Sequence, residues 1–330
     1  MFTPFARLAW CATALALAVV VFGAFVRLSN AGLSCPDWPT CYGKMTWPTQ
    51  NQEIAQANTA FPDRPVESNK AWREQMHRLL AGVLILTTFT LAAWAWRRRT
   101  INDQPVRTPL AAAGLIVFQA LLGMWTVTWK LKPIVVMAHL LVGMTTFWLL
   151  AYTALSVSSL SKISSFAAVK IRRLTIIGII LLVLQIALGG WTSSNYAALA
   201  CGTEFPTCQG EWWPNTDFRE AFVLWRGIGF NYEGGVLDGP ARTAIHLTHR
   251  LGALLVFGHL LTLGIIALRR RVAGLGGMLI GLLLLQVTLG IGNVVLGLPL
   301  SIATAHNAVA ALLMTALIGF LVRTENVGNG

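Results

Sequence analysis

Eight stretches of about 20 predominantly apolar residues divide this sequence, at roughly 5–28, 74–96, 108–129, 133–155, 170–193, 243–267, 272–296 and 299–322. Each is long enough to cross the ~30 Å hydrocarbon core of a bilayer as a helix. In lipid every backbone polar group must be satisfied within its own segment, which makes helix the expected form. The chain therefore reads as an all-α integral membrane protein with the lipid bilayer as its first partner. The net charge of +12 raises the question of nucleic acid. The basic residues, however, fall in short connections between spans rather than on a patch of a soluble fold, so no nucleic-acid role is expected. The apolar run that starts the chain is too long for a signal-peptide core and has no clean small-residue cleavage site, so it reads as the first span. No Arg/Ser-rich transit sequence precedes it, which fits a bacterial protein.

Three connections, Arg97 to Arg107, Lys162 to Arg173 and Arg269-Arg270-Arg271, are dense in Lys and Arg. The two long connections, about 29–73 and 194–242, carry most of the Asp and Glu. The positive-inside rule then puts both termini in the cytoplasm and both long loops outside, in the periplasm or extracellular space. The spans also repeat, four and four. Gln119-x-x-Leu122-Gly123 precedes His139 by 20 residues, and Gln286-x-x-Leu289-Gly290 precedes His306 by the same interval. Pro39-Thr40-Cys41 and Pro206-Thr207-Cys208 stand 167 positions apart, the separation of those two histidines. Both halves begin inside, so the expected architecture is two tandem four-helix bundles, residues 1–160 and 161–330, related by a pseudo-two-fold axis along the membrane normal.

Four histidines sit at matched positions in these spans. His77 and His139 each lie a few residues below the outer start of their span, and His249 and His306 repeat the arrangement. At ~1.5 Å rise per residue they stand at similar depth, roughly 6–10 Å down. A porphyrin between facing helices needs two imidazoles at one height, and imidazole is a usual axial ligand of haem iron. An isolated histidine at a helix entrance is most simply a ring hydrogen-bonded to a loop. Four in a two-fold repeat instead point to two porphyrin sites. Zinc or copper is the weaker alternative, since two His per site with distant thiols make a poor tetrahedral set.

Arg78 and Arg250 directly follow His77 and His249. Two readings stand side by side for them: charge-assisted pairing with porphyrin propionates, or snorkelling to the outer interface. Glu74 separates the halves. It lies three residues before His77, on nearly the same helix face and one turn outward, where His246 takes its place in the second half. A carboxylate beside a porphyrin edge can accept a proton or steady developing positive charge; the plainer reading is a first-turn acid favoured by the helix dipole. The asymmetry suits the first half to chemistry and the second to a permanent cofactor. His259, near the middle of its span and without a first-half counterpart, is expected to be structural.

Cys35 and Cys41 bracket five residues of the first outer loop, and Cys201 and Cys208 bracket six of the second. Two intraloop disulfides, Cys35–Cys41 and Cys201–Cys208, are the plain expectation on the oxidising side of a bacterial inner membrane. A redox relay through one pair is compatible with that, although neither spacing is C-x-x-C. Cys11 is expected to be buried in the first span and inert.

Together, Arg27-Leu28-Ser29-x-x-Gly32-Leu33-Ser34, Glu74-x-x-His77-Arg78, His139, His249-Arg250, His306 and the two outer cysteine pairs resemble haem A synthase, a resemblance that covers all eight spans. It implies an oxidoreductase of the bacterial plasma (inner) membrane that converts a porphyrin methyl of haem O to a formyl through two hydroxylations. The product, haem A, serves cytochrome c oxidase assembly. Carried over, His77 and His139 flank the substrate haem, His249 and His306 ligate a haem b cofactor, Arg78 and Arg250 belong to those two sites, and Glu74 is the catalytic carboxylate. The implied partners include the farnesyltransferase that makes haem O and an electron donor for which the sequence shows no flavin, nicotinamide or quinone site. A homo-oligomer is compatible with it.

Three other functions compete. A non-catalytic haem carrier would need no Glu74. An electron-transferring cytochrome b would stack its ligands at two depths, and here all four lie near one surface. A quinone-linked disulfide generator would need the loop cysteines and no haem.

Overall fold

The computed structural model describes residues 3–101, 104–158, 166–270 and 272–324. The 160/161 boundary, Lys162 and Arg271 lie outside them. Ten helices follow in order: α1 Pro4–Leu28, α2 Asn51–Ala60, α3 Ser68–Arg97, α4 Arg107–Thr128, α5 Pro133–Ser156, α6 Phe166–Ser194, α7 Phe218–Ala221, α8 Gly239–Leu268, α9 Ala273–Val295 and α10 Leu300–Arg323. There is no strand among the described residues. Eight helices are long and apolar enough to cross a membrane, and they coincide with the eight expected spans. The chain is a multi-pass membrane protein. The short α2 and α7 lie in the two long loops.

Local chemistry starts and stops these helices. Thr3 caps α1 by accepting from the Ala6 amide (3.2 Å) ahead of Pro4, and Asp238 caps α8 by accepting from the Ala241 amide (2.9 Å) ahead of Pro240. The C-terminal ends of α1, α4, α6 and α9 close in one way. The chain turns left-handed and an amide reaches back five residues, as in Ala31 N to Val26 O (3.0 Å), Leu131 N to Thr126 O (2.8 Å), Ala197 N to Thr192 O (2.9 Å) and Leu298 N to Asn293 O (2.7 Å). Lys130 and Leu131 in the first half correspond to Gly297 and Leu298 in the second, 167 positions on, and both pairs have positive φ.

Two helices begin earlier than their apolar runs do. α3 starts at Ser68 rather than near 74, and α8 at Gly239 rather than near 243. Glu74 is therefore nearly two turns inside α3. The helix-terminus field fades within the first turn, so a dipole-favoured first-turn acid does not describe this residue.

α1 packs on α3 and α5, α3 on α4, and α4 on α5, closing a ring; α6, α8, α9 and α10 close another in the same sequence of neighbours. The rings meet where α1 and α5 touch α10 and where α5 touches α6. One continuous buried cluster, with Leu91, Phe147, Leu150, Leu260, Leu279 and Phe320 at its centre, runs through both. α10 is the most enclosed span, with 61% of its most apolar window buried. Outward residues such as Leu79, Val83 and Leu86 on α3 recur at helical spacing as the lipid face. Cys11 belongs to this outer face. It is exposed rather than buried, because the small Ala9, Ala12 and Ala16 occupy the inward side of α1.

Candidate functional site

Each of the four histidines rests against a glycine of the helix beside it. A Cβ on Gly23 of α1 would stand 2.8 Å from His77 Cε1, and one on Gly123 of α4 would stand 3.3 Å from His139 Cε1. The second ring repeats this, Gly189 of α6 with His249 Cε1 at 3.3 Å and Gly290 of α9 with His306 Cε1 at 3.1 Å. One glycine of a neighbouring helix thus faces every imidazole. His77 on α3 and His139 on α5 stand on diagonally opposite helices of the first ring, and His249 on α8 and His306 on α10 repeat this in the second. The structure brings the expected histidines together as two pairs.

Glutamines orient three of the four rings. Gln119 lies 3.3 Å from His139 Nε2 and Gln286 lies 3.2 Å from His306 Nε2. The Gln185 amide meets His249 Nδ1 at 3.1 Å and donates to the His249 carbonyl at 2.9 Å. His77 makes no such contact, and Val19 of α1 stands where α6 carries Gln185. Each ring keeps at least one nitrogen outside any hydrogen bond: Nδ1 of His77, His139 and His306, and Nε2 of His249. Paired imidazoles set among glycines, with nitrogens free to ligate, fit haem iron in both rings. Gln185 escaped the sequence reading because its first-half counterpart is not a glutamine.

Above the histidines, each arginine clamps a cysteine loop. Arg78 Nη1 donates to the carbonyls of Asp37 (2.8 Å) and Thr40 (2.6 Å), and Nη2 pairs with Glu74 Oε1 (2.5 Å). Arg250 donates to the carbonyls of Glu204 (3.1 Å), Pro206 (3.2 Å) and Thr207 (3.0 Å), and its Nε donates to His246 Nε2 (3.1 Å). Sequence reasoning offered propionate pairing or snorkelling for these arginines. The structure shows a further role, a five-donor guanidinium satisfied by loop backbone. The other Glu74 oxygen accepts the Cys35 amide (2.9 Å), so this buried carboxylate is held at both oxygens. His246 replaces it as acceptor for the arginine and reproduces the clamp without a negative charge.

Both disulfides, Cys35–Cys41 and Cys201–Cys208, are formed. Each closes a loop whose turn is tied by an acid. Asp37 accepts from the Tyr42 (2.6 Å) and Gly43 (2.8 Å) amides and from the Thr40 hydroxyl, while Glu204 accepts from the Gly210 amide (2.6 Å). Partial burial works to raise the Asp37 carboxyl, but the Thr40, Gly43 and Tyr42 donors outweigh it and hold it below the usual carboxylate range. His259 Nε2 meets the Leu174 carbonyl of α6 at 2.8 Å, the helix-to-helix bond of a structural histidine.

Known proteins share this plan. A family model described as cytochrome oxidase assembly protein matches residues 6–318. A Shewanella oneidensis protein named "Heme A synthase" is 46% identical over 304 residues, covering 92% of this chain and 91% of its own length. Proteins of the same name from Rhizorhabdus wittichii and Bacillus licheniformis are 26% and 25% identical, each covering 92% of this chain and 89% of its own length. With a match running through all eight spans and both histidine pairs, the chain belongs to the cytochrome oxidase assembly protein family.

Proposed function

We propose that this chain is a haem A synthase that oxidises a methyl group of haem O to a formyl in its N-terminal ring, with haem b held in its C-terminal ring. One observation carries the division of labour. Two near-identical histidine–glycine frames differ in the group that receives the arginine, Glu74 in the first and His246 in the second. Methyl to formyl gains one oxygen and loses two hydrogens; it balances as two hydroxylations to a gem-diol that loses water, each taking one atom of O2 with two electrons from the donor and two protons and releasing the other atom as water. Protons move at each stage, and a fixed carboxylate one turn from His77 is placed to relay them or to steady positive charge. Haem b in the second ring supplies one-electron redox capacity when bound.

His77 and His139 would flank the substrate, and His249 and His306 would ligate haem b. Arg78 and Arg250 hold the loops over the two sites. The two rings are read as tandem four-helix bundles, 1–160 and 161–330, about an axis along the membrane normal, supported by the 167-residue correspondences. The same membrane reading puts the protein in the bacterial inner membrane, termini cytoplasmic and disulfide loops outside. A farnesylated substrate then reaches the first ring laterally from the bilayer, supplied by the farnesyltransferase that makes haem O, and the product serves cytochrome c oxidase assembly. The electron donor has no counterpart among the described residues.

The test is haem extraction and chromatography from cells making this protein with a haem O source. Formyl haem that depends on Glu74 supports the proposal. Unchanged haem O, with electron supply confirmed, overturns it in favour of a carrier.

A further inference from the structure

Lys132 occupies the N-cap of α5, seven residues before His139. Seven residues are two helical turns, so the lysine stands on the His139 face about 10 Å toward the outer surface. Its side chain is only 1% exposed, and Nζ has no hydrogen-bond partner. It contacts aromatic faces instead, with Nζ 3.1 Å from the Trp225 ring centre and 5.5 Å from that of Trp129. Lysine is almost never fully buried without a pairing group, and an ammonium carries three donors to satisfy. Trp225 is itself 61% exposed, so the cover over Lys132 is one indole thick. That indole comes from the second outer loop, which is tied to the lysine turn by Tyr232 N donating to Lys130 O at 3.1 Å.

The charge belongs to one half only. Counting 167 positions on, as from His139 to His306, Lys132 becomes Pro299, the N-cap of α10. Two further cations of the first ring have buried nitrogens without acceptors, Arg27 Nε at the outer end of α1 and Arg73 Nε at that of α3. Their counterparts beside the second pair are Ser193 and Ile245, both uncharged. At these three matched positions the ring with Glu74 is cationic and the ring with His246 is uncharged.

We infer that Lys132 is an anchor for a carboxylate of the tetrapyrrole held between His77 and His139, with Trp225 as the cover that the carboxylate displaces from the amine. This rests on the first ring being the substrate site. It adds a residue that selects porphyrins carrying free propionates, through a charge-assisted hydrogen bond. Exchangeable substrate in the first ring, gripped by charge at its rim, contrasts with cofactor in the second, where both histidines rather than one are oriented by glutamines.

The experiment titrates the purified protein, loaded with its low-spin haem, with ferric haem b and separately with ferric haem b dimethyl ester, followed in the Soret band. Wild type should bind the free acid about tenfold more tightly than the ester. Lys132→Met should remove most of that difference while the low-spin signal stays, and Lys132→Arg should restore it. Lys132→Gln serves if the Met variant does not fold. Equal free-acid affinity in wild type and Lys132→Met overturns the inference and leaves the first-ring site standing. No additional haem bound by wild type overturns the site and the inference together.

Discussion

Arg78 reaches back one helical turn to Glu74, Nη2 to Oε1 at 2.5 Å, while its other amino group holds two carbonyls of the Cys35–Cys41 loop. The candidate catalytic carboxylate, the residue after a candidate ligand and the disulfide loop are thus one polar unit, with side-chain exposures of only 12% and 6% for the ion pair. Removing one partner of such a buried pair strands the other charge, typically at about 3–5 kcal/mol. Arg78→Ala should therefore lower the thermal midpoint by several degrees, open the first loop to protease and cut formyl product at least tenfold. Arg78→Lys should rescue the ion pair but not the loop, since a point ammonium cannot span both carbonyls and the carboxylate. A loop equally protected in wild type and Arg78→Ala would refute the clamp.

Glu74→Gln keeps the size of the side chain but has one acceptor oxygen, so it can receive Arg78 or the Cys35 amide and not both, while the Arg78 bonds to the Asp37 and Thr40 carbonyls still hold the loop. It should preserve the loop and the second-ring haem while abolishing formyl formation. Chromatography showing normal haem A from this variant would end the assigned role.

The glycines set a steric rule for the imidazoles. A methyl on Gly290 would meet His306 Cε1 at 3.1 Å, so the ring must shift by a few tenths of an ångström. Gly290→Ala should leave a low-spin haem with altered electron paramagnetic resonance g-values, and Gly290→Leu should remove the low-spin species, as should His306→Ala and His249→Ala. Retention of the native spectrum in either histidine variant contradicts the ligand assignment. Gly23→Ala, whose Cβ would stand 2.8 Å from His77 Cε1, should leave that spectrum intact and impair the first ring.

Acid should loosen the first loop. The Asp37 carboxyl is held below its ordinary range by Thr40, Gly43 and Tyr42. Its folded value is thus below its unfolded one, so the stabilisation is complete above the unfolded carboxyl range and is lost as pH falls through the folded value. Hydrogen exchange at the Tyr42 and Gly43 amides should accelerate below about pH 4, the ordinary aspartate range. In Asp37→Asn the pH step should vanish. A step that survives in that variant assigns it to another group.

Much of this was legible in the residues. Span count and both disulfides follow from run length and close cysteine spacing, both local signals. What escaped is tertiary. Ser68-Asn69-Lys70 is too polar to read as span, yet it extends α3 above the apolar run and moves Glu74 away from the helix start. The grip of Arg78 and Arg250 on loop carbonyls depends on backbone about 40 residues away in sequence, and a carbonyl leaves no mark in side-chain patterning. Cys11 was misplaced because a uniformly apolar helix has no polar face from which to tell inside from outside.

α10 touches α1 and α5 of the first ring as well as α6 and α9 of its own. It is also translated after the other seven spans. The span that closes the seam between the rings is therefore translated only after all four helices of the first ring. Nascent chains carry the early helices into the bilayer with that flank open to lipid, and the first pocket acquires its backing only when the eighth span docks. Synthesis order thus becomes maturation order: the first ring is made first and is fully enclosed only once the eighth span has docked.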